Sequence, residues 1–119
     1  VAGGDQIALR RIAYRLAFVL LALALAGAAP EAAAQPLADL LVRARSLSAK
    51  GQFGAAYELL AAAEDEHIGE IEFDYALGRA ALEAGRPARA TLAFARVLAL
   101  DPRHAGALID TGRAYLALG

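Results

Sequence analysis

Between residues 71 and 104, apolar and small side chains recur at helical spacing twice, first through IEFDYALGRAALEA and again through PARATLAFARVLAL. A period near 3.6 residues gathers such positions on one stripe, so each segment predicts a helix with a face to bury. Between the segments stand Gly85 and Arg86. Glycine takes the left-handed conformation that ends a helix at no steric cost, and Pro87 sits near the start of the next, where its missing amide matters little. Asp101 and Pro102 end the second helix. The predicted unit is a helix-turn-helix hairpin.

Residues 16–29, LAFVLLALALAGAA, follow a different pattern: a run of 14 with no charge and no polar face. Arg10, Arg11 and Arg15 precede it, and small residues ending in AAAQ follow. The run is shorter than the roughly 20 apolar residues of a membrane-crossing helix, and its flanks have the order of a secretory signal peptide. Ala32 and Ala34 supply the small pair preferred for cleavage, which is expected after Ala34 and divides the chain into a signal segment, 1–34, and a remainder, 35–119. The residues around Arg10 and Arg11 fit a twin-arginine signal poorly, so the general secretory route is expected. With no cysteine, neither a disulfide framework nor a lipid-modified cysteine is available.

Positions recur 34 residues apart: Gly51, Gly85 and Gly119; Ala56 and Ala90; Gly78 and Gly112, with Ala44 before them. A fixed period of this size marks an internal repeat. The small residues at Gly78 and Ala90 let two helix backbones approach while Leu77, Phe94 and Leu98 fill the seam. One such hairpin cannot bury both of its apolar faces, so neighbouring copies are expected to stack.

Residues 71–104 resemble the tetratricopeptide repeat, a helix-turn-helix unit of the same length. Counting Ile71 as position 1, the family's typical residues stand as Leu77, Gly78, Gly85, Ala90, Phe94 and Asp101-Pro102. A further copy, 105–119, keeps Leu108, Gly112, Ala114, Tyr115 and Gly119 and stops before its second helix. The first copy, 37–70, keeps Leu40, Ala44, Gly51 and Ala56 but departs at Arg43, Glu64 and Ile68, the last two at the end of its second helix. The resemblance implies an all-α fold of antiparallel helix-turn-helix repeats stacked as a short right-handed solenoid behind an apolar signal helix. The incomplete last copy and the absence of a terminal cap suggest a fragment of a longer chain, and two and a half copies imply marginal stability for the isolated segment.

Candidate chemistry is sparse. There is no cysteine and no phosphate-cradling glycine loop, and the two histidines, His67 and His104, fall in different copies, so no catalytic residue and no cofactor are assigned. The segment EDEHIGEIEFD, 64–74, gathers six carboxylates and His67, a donor set able to hold a divalent cation. It lacks the spacing of a known site, and Glu70, Glu72 and Asp74 fall at a helix start, where the dipole favours negative charge. It reads as a solvated turn, and no metal is assigned. By contrast, residues 79–113 hold six arginines and three acids, an imbalance that either steers a partner or keeps adjacent copies in register.

Arg45, Arg79 and Arg113 share position 9. In the tetratricopeptide family that position, with 2, 5, 12 and 13, faces the concave groove that receives extended peptides. The resemblance therefore implies a groove carrying a row of arginines with Leu41, Tyr75 and Ile109 between them at position 5. Such a surface suits an acidic peptide or a free C-terminal carboxylate, since arginine forms paired hydrogen bonds to carboxylates. The competing reading leaves these arginines solvated or paired with Glu83 and its neighbours. Residues 35–119 carry 9 basic and 11 acidic side chains, which gives no reason to expect a nucleic-acid partner.

The expected function is a non-enzymatic interaction scaffold, exported to the periplasm or outer membrane of a Gram-negative cell envelope and gripping a peptide or partner protein. Two alternatives remain. The repeats resemble the periplasmic front of an outer-membrane β-barrel assembly or export protein, such as a surface lipoprotein assembly modifier. They also suit a targeting module for a downstream enzyme. The membrane would be met only through the signal segment or such a barrel.

Overall fold

The structure, a computed structural model, describes residues 6–15 and 35–119. The chain divides after Gln35 into two units. In the first, residues 6–15 form a helix, α1, whose side chains, Arg10, Arg11 and Arg15 among them, are exposed. The apolar run 16–29 and the expected cleavage point at Ala34 lie outside the described residues. No described helix is long and apolar enough to cross a membrane.

The second unit is all-helical: α2 (Leu37–Ala49), α3 (Phe53–Ala61), the short α4 (Glu64–His67), α5 (Ile71–Glu83), α6 (Pro87–Leu100) and α7 (Ala105–Leu118). The turns repeat as the residues do. Gly85, at φ +73°, lets its own amide donate to the Leu82 carbonyl and the Arg86 amide donate to that of Ala81, the paired bonds that close a helix C-terminus on a left-handed glycine. Gly51, at φ +75°, does the same with Ser48 and Leu47. Pro87 opens α6 at its first turn.

Packing runs between sequence neighbours. α2 lies against α3, α5 against α3 and α6, and α6 against α7, with lighter contact from α5 to α2 and α7. One continuous core results, centred on Leu40, Leu60, Phe73, Leu77, Phe94 and Val97. Val97 is fully buried beside Phe94, and Leu98, expected in the seam, is partly buried and packs against the same core. At Gly78 the space is taken by the Phe94 ring: a Cβ there would come within 2.6 Å of Cδ1.

The first copy departs where its sequence does. α3 stops at Ala61, and a turn through Ala62 and Ala63 precedes α4. Glu64 occupies the register of Leu98, and a carboxylate is costly in an apolar seam. After the break Glu64 lies half-buried against α6, where its two oxygens meet Arg89 at 2.7 Å and Arg96 at 3.0 Å.

Candidate ligand-binding groove

The helical stripe of α2 that buries Leu41 and Ala44 leaves Arg45 and Ser48 at its edge, and α5 presents Glu72, Tyr75, Arg79 and Glu83 opposite them. Together they line a cavity of about 540 Å³, open to solvent between α2 and α5 and bounded by His104 at the start of α7. Its floor is apolar, with Leu41, Leu60 and Ala80 all at most 5% exposed. Four of the six residues expected in a groove therefore converge: Leu41, Arg45, Tyr75 and Arg79. Ile109 and Arg113 do not line it. Ile109 is exposed on α7, and Arg113 pairs with Asp110 at 3.0 Å.

The arginines differ from an even row. Arg79 lies 3.6 Å from Glu83 one turn on and its guanidinium sits 6.0 Å from the Tyr75 ring centre, so the competing expectation of local pairing describes this residue. Arg45 has no side-chain partner among the described residues. With Glu72 and Glu83 on the rim, the cavity mixes both signs of charge. Tyr75 fixes one wall. Its hydroxyl donates to Asp110 Oδ2 at 3.0 Å. Burial, reinforced by that hydrogen bond and the Asp110 charge, pushes the phenol above its usual range.

Three rim residues were legible but not singled out: Glu72, Ser48 and Glu83 hold positions 2, 12 and 13, which the resemblance itself places in a groove. His104 is the last residue of the copy 71–104, just before position 1 of the next, and carried no such signal.

The acidic segment differs from the solvated turn expected. Asp65, Glu66, Glu70 and Glu72 are exposed, but Asp74 is fully buried. Its carboxylate accepts the Gly69 amide at 2.9 Å and Arg96 Nε at 2.9 Å, with Arg96 Nη2 at 2.8 Å. Arg89 adds a bond from Nε to the Tyr57 hydroxyl at 3.2 Å, while Arg86 lies 4.7 Å over the Tyr57 ring. His67 Nδ1 lies 2.9 Å from Glu70 Oε1, and its ring lies against Phe73. The carboxylates of Glu64 and Asp74 are thus committed to arginines, and among the described residues no three His, Asp or Glu side chains gather to hold a metal ion.

No protein-family model matches this chain, and no curated protein matches it.

Proposed function

We propose that the second unit is a tetratricopeptide-like array acting as a non-enzymatic scaffold of the bacterial cell envelope, which holds an extended peptide segment of a partner protein between α2 and α5. The observation that carries the reading is the convergence of Leu41, Arg45, Tyr75 and Arg79, from two copies of the repeat, on one apolar-floored cavity. The repeated 34-residue register and the matching left-handed glycine turns support the array. The basic, apolar and small-residue order of residues 10–34 supports export.

Within the groove, Arg45 is the guanidinium without a side-chain partner among the described residues, and a carboxylate from an acidic side chain or a free C-terminus is the group it suits. Arg79 joins it only by leaving Glu83, a long and exposed pair whose loss costs little. Arg113 contributes nothing to this grip.

The test is fluorescence anisotropy with labelled decapeptides, each made with a free and an amidated C-terminus. A subset is expected to bind, and Arg45→Ala should weaken it about tenfold, the usual value of one charged hydrogen bond. Arg113→Ala should leave affinity unchanged, and helical content by circular dichroism should be unaltered in both. Binding indifferent to Arg45, or no binding by any peptide, overturns the proposal.

A further inference from the structure

Of α2 to α7, only α7 has its first turn capped by a side chain: His104 Nδ1 accepts the Ala107 amide at 3.0 Å. A ring nitrogen that accepts an amide hydrogen carries none of its own, so this bond requires the tautomer with its proton on Nε2. The same ring lies 4.6 Å from that of Tyr75, and both line the groove. Gly106 completes the junction, since a Cβ there would come within 2.7 Å of Tyr75 Cζ. One turn further, Asp110 takes the Tyr75 hydroxyl. The beginning of α7 is thus joined to the groove wall by a cap, a ring contact, a close approach and a hydrogen bond, all within residues 104–110.

We propose that His104 is a proton-sensitive latch between the groove and α7. The neutral ring caps the helix and packs on Tyr75. Protonation places hydrogens on both nitrogens, turns Nδ1 from acceptor to donor against an amide that also donates, and sets a positive charge at the positive end of the helix dipole. The cap is then lost and the ring leaves Tyr75.

The surrounding charges are of both signs, and among the described residues none forms an ion pair with His104. From α5, Glu72, Tyr75, Arg79 and Glu83 share the cavity with His104, and Arg45 lines it from α2. In the preceding turn, Asp101 Oδ1 accepts the Arg103 amide, and on α7 the Asp110 carboxylate is occupied by Tyr75 and Arg113.

The latch belongs to the folded chain, while its effect on a ligand rests on the groove reading, so two measurements separate them. On the isotopically labelled full chain, imidazole nitrogen shifts and the hydrogen-exchange protection of the Ala107 amide are followed from pH 8 to pH 5. The Nε2–H form is expected at pH 8, with protection falling about fivefold as the ring protonates, the usual consequence of a lost N-cap. His104→Asn, which caps without titrating, should hold its protection throughout, and His104→Ala should be low throughout. His67 is present in every variant and cancels. An Nδ1–H form at pH 8, wild-type protection that ignores pH, or an Asn variant that titrates like wild type overturns the latch. Peptide anisotropy on the same samples reports on the groove: a titrating cap with no peptide affinity upholds the latch and removes the groove reading.

Discussion

Alanine placed at Gly78 and at Gly112, two copies of one repeat position, should act in opposite directions. At Gly78 the new Cβ would stand 2.6 Å from Phe94 Cδ1 and 3.0 Å from Cζ, where carbon atoms prefer about 3.5–4.0 Å. The ring has to yield by about 1 Å on that estimate. It has nowhere to go, because Phe94, Ala90 and Val97 are each fully buried. Overpacking of this kind costs about 1–3 kcal/mol, and replacing a mid-helix glycine by alanine returns about 0.5–1 kcal/mol. The net expectation for Gly78→Ala is a loss of about 1–2 kcal/mol. At Gly112 nothing lies within 4 Å of the new atom and the residue is exposed, so only the backbone term acts. Gly112→Ala should gain about 0.5–1 kcal/mol. Urea unfolding of the full chain, followed by circular dichroism at 222 nm, reads both, and with a slope near 1 kcal/mol per molar the two midpoints should move apart by about 2 M. Adding Phe94→Leu to Gly78→Ala should make the two losses less than additive, because the smaller side chain relieves the overlap. If both alanines shift the midpoint the same way, the close packing at Gly78 is not what sets its residue.

Two further outcomes follow from the buried and half-buried polar groups. Arg96→Ala leaves Asp74, fully buried, with only the Gly69 amide, and should cost about 3–5 kcal/mol in thermal or urea unfolding; Arg79→Ala, which breaks an exposed pair, should cost under about 1 kcal/mol, and equal losses would refute the assignment. Because the fold raises the proton affinity of Tyr75 through burial and its bond to Asp110, the protonated hydroxyl is the stabilising form. Its contribution should be intact below about pH 10 and fall away as pH rises beyond it, a loss absent in Tyr75→Phe when both are melted across that range.

Helix existence, type and turn chemistry were legible because they depend on neighbours in the chain. The Gly85-Arg86-Pro87 run encodes a left-handed stop followed by a proline start, and α6 spans the segment from Pro87 to Leu100 that its pattern outlines. The groove was legible only by address. Register puts Leu41, Tyr75 and Ile109 at one position, yet Leu41 is core, Tyr75 is a wall tied to α7, and Ile109 is exposed. Which neighbour a side chain meets depends on the copy that follows it, and periodicity does not encode that. His104 shows the same limit: its role rests on a ring contact 29 residues away in sequence, from Tyr75 to His104.

The acidic segment shows how a departure from the repeat is used. Taken alone, Glu64 and Asp74 look like surface charge before a helix start, because the arginines that hold them lie 22 to 32 residues further on. Glu64 breaks α3 because its carboxylate does not enter an apolar seam, and the break directs that carboxylate onto Arg89 and Arg96 of α6. Arg96 then reaches the buried Asp74, and Asp74 reaches the backbone of the turn at Gly69. A short helix that lost its last turn of apolar contact is thereby fastened to the next hairpin by charge. Two of the six arginines of residues 79–113, Arg89 and Arg96, have their counterparts here, inside the chain. Their pairs join α6 to α4 and α5, while the cavity between α2 and α5 keeps in Arg45 a cation with no side-chain partner among the described residues.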